Sequence, residues 1–208
     1  MKNFILSSLT AFIFSSVLWI LWSFFTVQSG IVPNWMGSLL YLPHAARVLM
    51  VVYFGWRSIP GLYLAELWGP VYLAQDAYNF AIWIPSAISV LSVPAALYAL
   101  RFFGFPLGGT IESPLNKSNY KHIGLITMIS AFFNALMVNV YLSQIHANFE
   151  SVDADIIQVL RFFIGDMLGV FVVFIFLAIF LKPVLDKSKL DSIHSSIISS
   201  NINKGTIP

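Results

Sequence analysis

Between Arg161 and Lys182 the chain reads R-F-F-I-G-D-M-L-G-V-F-V-V-F-I-F-L-A-I-F-L-K, an apolar stretch broken by a single acid, Asp166. A helix of about 20 residues is some 30 Å long, the thickness of a bilayer's hydrocarbon core. A carboxylate inside such a helix is expensive unless it faces the bundle interior and meets a partner, which makes Asp166 a candidate functional residue. Gly165 and Gly169 lie four apart on one helical face beside it, so a second backbone can approach the carboxylate closely.

The rest of the chain is of the same kind. It is 58% hydrophobic and only 10% charged, where an ordinary soluble domain is roughly 25% charged. No stretch has the polarity and length of a soluble globular domain, so the expectation is an all-α polytopic transmembrane bundle without a soluble catalytic domain. Cysteine is absent, which excludes disulfides and Cys-ligated metals. A net charge of +2 with no polybasic run excludes a broad nucleic-acid surface. The apolar run from Phe4 to Val27 is too long for a signal-peptide core and lacks a good cleavage site, so it reads as a retained first helix.

Hydropathy and breakers place six helices at about 4–27, 37–56, 60–75, 77–103, 121–146 and 156–181. The third is short enough to be a half-span or sharply tilted. Pro85 and Pro94 should kink the fourth. The bundle is expected over residues 1–186, with 187–208 a mobile cytoplasmic tail or a short interfacial helix. Placing the N-terminus in the cytoplasm puts Lys2, Arg57, Arg101, Lys117, Lys121, Lys182, Lys187, Lys189 and Lys204 on the inner side, nine of the eleven basic residues. The outer loops then hold none, and the last is acidic with Glu150, Asp153 and Asp155. That asymmetry predicts an even number of spans with both termini cytoplasmic.

This topology sets depths. His44 and Arg47, three apart, share a face in the outer half of the second helix. Glu66 falls near mid-membrane on the third and Asp76 at its outer end, while Arg161 lies near the outer surface with Asp166 about 7–8 Å deeper. His146 ends the fifth. Arg47 and Arg161 balance Glu66 and Asp166 in sign. The group is open to three uses: structural ion pairs, a water-filled pocket for a small polar ligand, or a proton path. The candidate ligand-binding set is therefore His44, Arg47, Glu66, Asp76, Arg161 and Asp166.

Taken singly, most of these residues have plainer roles. His44 can simply bond a carbonyl, and no second ligand at helix-face spacing supports a metal or any other cofactor. Asn134, Asn139 and Gln144 on the fifth helix suit interhelical hydrogen bonds. Tyr78 and Asn79 are within reach of an outer cavity. No H-E-x-x-H, G-x-S-x-G or Walker loop is present, so an enzyme is not expected.

Two stretches resemble the MASE1 membrane sensor family. Tyr41-Leu42-Pro43-His44-Ala45-Ala46-Arg47, followed by Phe54-Gly55-Trp56-Arg57-Ser58-Ile59-Pro60-Gly61-Leu62-Tyr63-Leu64-Ala65, is similar to that family's W-P-P-x-G, apolar helix and f-G-x-R-x-x-P-G-x-f-L-G. Arg161 to Val170, R-F-F-I-G-D-M-L-G-V, resembles its w-x-l-G-D-a-L-G-v-l. The chain departs from the pattern at His44, Ala46, Arg47 and Ala65. The resemblance implies an inner-membrane signal-input module in which Arg57, Pro60, Gly61, Gly165, Asp166 and Gly169 hold the positions of the family motifs. It implies no particular ligand. The cyclase, phosphodiesterase or kinase usually fused to such a module is lacking, so output would pass to a separate protein.

Together these point to a non-catalytic ligand-binding or signal-input bundle facing the periplasm. A small-solute transporter or substrate-binding subunit, and an accessory or scaffold subunit of a larger complex, are the alternatives. The implied partners are the lipid bilayer, a small ligand and a second protein, with no nucleic acid.

Overall fold

A computed structural model of the chain describes residues 2–27, 38–73, 83–105, 120–146 and 156–204. The described residues are helical almost throughout, and no strand occurs among them. The elements are α1 (Lys2–Trp22, prolonged by a wider turn over Ser23–Val27), α2 (Pro43–Phe54), α3 (Ile59–Leu73), α4 (Trp83–Phe102), α5 (Tyr120–His146) and α6 (Ile156–Lys204). The helix expected from residue 37 begins at Pro43, whose missing N–H and fixed φ suit a first turn. Pro85 also falls in a first turn, where no intrahelical bond is lost, so the kink expected there has no cause; Pro94 and Pro70 are interior. The helix expected to end near residue 181 continues to Lys204, well past the proposed boundary at residues 186 and 187.

Among the described residues, five helical stretches are long and apolar enough to cross a membrane: Asn3–Phe25, Pro43–Pro70, Trp83–Phe102, Lys121–Gln144 and Ile156–Phe180. The distribution of polarity agrees with a multi-pass membrane protein. Large apolar side chains point outward, among them Ile5, Leu9, Ile13, Leu91, Phe132 and Phe171. The interior holds Ser7, Ser15, Ser86, Ser89, Ser92, Thr127, Ser130 and Asn139 besides the ionisable groups. In lipid, apolar side chains gain nothing by turning inward, and small or polar residues mediate helix contact instead. On α1 the buried stripe is Ser7, Ala11, Ser15, Leu18 and Trp22, at helical spacing. Gly61 of α3 sits against the backbone of Ser8 and Phe12, and Gly69 against the ring of Trp19, so α1 and α3 run parallel and in close contact.

The stretch from Pro43 to Pro70 folds back on itself. Arg47 and Glu66, 19 residues apart, are joined by a hydrogen bond of 2.7 Å. A continuous helix would hold their backbones about 28 Å apart, beyond the reach of the two side chains. The reversal occurs at Gly55–Ser58, a short tight turn that Gly55 enters with φ 58°, a conformation natural to glycine. Trp56 and Arg57 are exposed at its tip.

Segment 38–42 enters this hairpin without being helical, and its backbone lies against α6, with Ser38 and Leu42 buried and Leu39 exposed. Non-helical backbone packed against a helix needs partners for its polar groups within the protein. Here the Tyr41 N–H donates to the Gly165 carbonyl at 2.9 Å, and the Leu40 carbonyl accepts from Trp22 Nε1 and from Ser38 Oγ. Such contact requires that α6 carry no side chain at two points. A Cβ on Gly165 would overlap the carbonyl of Ser38, and one on Gly169 that of Tyr41.

By compactness the chain divides into Met1–Phe171 and Val172–Pro208. The second unit is helical to Lys204 and carries Phe176 and Phe180 with ring centroids 4.2 Å apart.

Candidate functional site

A buried polar cluster forms where α2, α3, α5 and α6 meet. Its first half is an ion pair across the hairpin. Arg47 Nε donates to Glu66 Oε1 at 2.9 Å and Nη2 to Oε2 at 2.7 Å, the two-pronged geometry that a planar guanidinium and a carboxylate favour. Tyr41 closes it from segment 38–42: its hydroxyl donates to Glu66 Oε2 at 3.3 Å and accepts from Arg47 Nη2 at 3.0 Å. Trp19 Nε1 of α1 donates to Glu66 Oε1 at 3.4 Å. The rings of Trp19, Trp22 and Tyr41 pack edge to face at 5.2 to 5.5 Å, and the Arg47 guanidinium lies 5.2 Å from the Tyr41 ring centre. The helix α4 is tied in through Ser86, whose hydroxyl donates to the Glu66 carbonyl at 3.3 Å.

The second half joins α2 to α5 and α6. His44 Nδ1 lies 3.5 Å from Asp166 Oδ2 and 3.5 Å from Arg47 Nη1, so one imidazole bridges the ion pair and the carboxylate. Its other nitrogen is 3.1 Å from Ser130 Oγ. Asn134, one turn beyond Ser130 on α5, donates to Asp166 Oδ2 at 2.6 Å, while its Oδ1 has no hydrogen-bond partner among the described residues. None of His44, Arg47, Glu66 and Asp166 is more than 3% exposed.

Four of the six residues expected from the sequence are therefore gathered: His44, Arg47, Glu66 and Asp166. Their pairing differs from the expected balance of two arginines against two acids. Asp166 meets His44 and Asn134, and Arg161 does not join: it is exposed and makes no ion pair among the described residues. Asp76, Tyr78 and Asn79 lie outside the described residues, as does the side chain of His146. Asn134 makes the interhelical bond expected of it, whereas Asn139 donates within its own helix, to Ala135 at 2.7 Å. Of the motif residues, Gly61, Gly165 and Gly169 sit at close backbone contacts, and Arg57 and Pro60 are exposed at the hairpin turn.

Sequence reasoning passed over Trp19, Ser130 and, as a site residue, Tyr41. The signal for Trp19 was present: it lies four residues from Ser15, beside a stripe of small residues that has to face protein. No group of three or more metal-ligating side chains occurs among the described residues. Because Arg161 lies outside the cluster, Arg161→Gln should leave thermal unfolding in detergent within about 0.5 kcal/mol of wild type. A loss as large as that expected for Arg47 would place Arg161 in the cluster after all.

No protein-family model, no curated protein and no solved structure matches the chain.

Proposed function

We propose that the chain is a non-catalytic signal-input module of a bacterial inner membrane. Its buried cluster receives a small ligand from the periplasmic side, and the response passes to a separate protein. The observation that carries this is the position of His44. It stands between two carboxylate systems, Glu66 with Arg47 and Asp166 with Asn134, each anchored on a different helix. Whatever competes for one of these bonds changes the balance of the others and hence the fit of α6 against segment 38–42. A ligand moves such an equilibrium only by binding one arrangement better than the other, and a bonded cluster with one spare acceptor offers two arrangements.

Charge bias supports a topology with both termini cytoplasmic. The hairpin supports it too, because a reversal at Gly55–Ser58 returns α3 toward the side from which α2 came. With Lys2 inside, Trp19 and the Glu66 carboxylate beside it lie about 25 Å along α1, in the outer half of the membrane. The resemblance of the G-D-x-L-G and G-x-R-x-x-P-G motifs to MASE1 adds to this, and the buried glycines suit the packing role that such motifs play.

The test is gentle solubilisation of the full chain from its native membrane, with quantitation of co-purifying proteins for wild type and Asp166→Asn. A signal-input module should show a partner whose bound amount changes at least threefold while the variant remains folded. An assembly of fixed stoichiometry, unchanged by Asp166→Asn, would mean a scaffold subunit. Uptake of a solute by proteoliposomes containing the pure chain would mean a transporter.

A further inference from the structure

We propose that His44 and Asp166 hold a single exchangeable proton between His44 Nδ1 and Asp166 Oδ2, and that this proton is the ligand of the input site. The second half rests on the functional reading above; the first stands on geometry alone.

Ser130 Oγ lies 3.1 Å from the Thr127 carbonyl and 3.1 Å from His44 Nε2. The carbonyl can only accept, so when the single Ser130 hydrogen serves it, Oγ accepts from His44 and Nε2 carries a hydrogen. Nδ1 then faces Asp166 Oδ2 and Arg47 Nη1, each at 3.5 Å, so the guanidinium N–H competes for an unprotonated Nδ1 and the carboxylate for a protonated one.

Charge balance then counts the protons. Arg47 and Glu66 cancel through their two hydrogen bonds. What remains is His44 and Asp166. With one proton between them the pair is neutral, as an imidazolium with a carboxylate or as an imidazole with a carboxylic acid. With none it is an isolated buried anion, and with two a buried cation. Either charged state costs several kcal/mol in a low-dielectric interior. Two such closely placed groups titrate as one unit.

Among the described residues, the surroundings add no ionisable group beyond Tyr41, Arg47 and Glu66. Segment 38–42 contributes Tyr41, α2 contributes His44 and Arg47, α3 Glu66 and α6 Asp166. From α1 and α5 come only Trp19, Ser130 and Asn134, and from α4 the Ser86 hydroxyl. Asn134 supplies the second arrangement. Its Nδ2 serves an ionised Asp166, and its unpartnered Oδ1 is an acceptor that rotation of the amide would offer to a protonated one. A solute needs volume beside these side chains, which are closed off from solvent. A proton needs only a hydrogen-bonded path.

The experiment uses the full chain in lipid nanodiscs. Infrared difference spectra with carbon-13 aspartate and nitrogen-15 histidine resonances are followed from pH about 4 to 9, the range in which such groups change charge. Wild type should show one coupled step seen by both probes. Asp166→Asn should abolish it, His44→Gln should leave a carboxyl titrating alone, and Asn134→Ala should keep the step but move its midpoint at least tenfold in proton concentration. Should Asp166→Asn fail to fold, the other two variants carry the test. A step that persists unchanged in all three, or no step in wild type, overturns the site.

The input role is read separately. The chain has no cysteine, so spin labels at Leu168→Cys and Phe132→Cys, both exposed, report the spacing of α6 and α5 by pulsed electron paramagnetic resonance. A distance shift that follows the protonation step supports the proton as input. The step without a shift keeps the proton site and overturns its role as the signal.

Discussion

Arg47→Met should lower stability by about 3–5 kcal/mol, because it leaves the Glu66 carboxylate buried and without its cation. The double variant Arg47→Met with Glu66→Met should recover most of that loss. Buried ion pairs gain little net stability over apolar residues of similar volume, since the desolvation of two charges offsets their attraction. Reversible unfolding in mixed micelles of the two single variants and the double measures the coupling. An additive double variant, as damaged as the sum of the singles, would show that Arg47 and Glu66 are not energetic partners. The hydroxyl of Tyr41 and the indole of Trp19 both address Glu66, so they offer its carboxylate some relief in Arg47→Met. That places the expected loss at the lower end of the range.

Gly165→Val and Gly169→Val should be at least as damaging, by a different route. Each introduces atoms where the carbonyl of Ser38 or Tyr41 now lies, and a backbone atom held in its own hydrogen bonds cannot swing aside as a flexible side chain can. Overpacking ordinarily costs about 1–3 kcal/mol, and displacement of segment 38–42 also breaks the bond from Tyr41 N–H to Gly165. The internal control is Gly124 on α5, where a Cβ meets nothing within 4 Å. Gly124→Ala should be neutral or stabilising by up to about 1 kcal/mol, the helix-propensity difference. Thermal unfolding of the three variants should thus give opposite signs for the same class of change. A tolerated Gly165→Val would mean that α6 does not lie against segment 38–42 as described.

The helices were legible because hydrophobic length is a direct statement about a bilayer, and the break between α2 and α3 because Pro60 and Gly61 mark it. Relative position along the helices was legible too, since rise per residue lets Asp166, Arg47 and Glu66 meet at one level of the bundle. Direction around the helix axis was not weighed with depth, and there the expectation about Arg161 failed. Five residues before Asp166 on a helix of 3.6 residues per turn, Arg161 points about 140° away from it. The same arithmetic favours His44, which is three residues from Arg47 and on its face. The contribution of Asn134 and Ser130 depended on how α5 is turned against α2, which no local pattern in this chain specifies. Segment 38–42 reads from the sequence as the start of a helix because apolar composition alone does not distinguish packed irregular chain from helix.

The tie between Tyr41 and Gly165 has a consequence for how the protein is made. During synthesis the early helices enter the membrane while the residue that accepts the Tyr41 amide is still far from the ribosome exit, with most of the chain yet to be translated. Until α6 arrives, that amide must be hydrated at the bilayer edge or held by an insertion factor. Nascent chains stalled before α6 would therefore present an incompletely folded surface, recognisable to membrane proteases, and the docking of α6 would itself be the quality check.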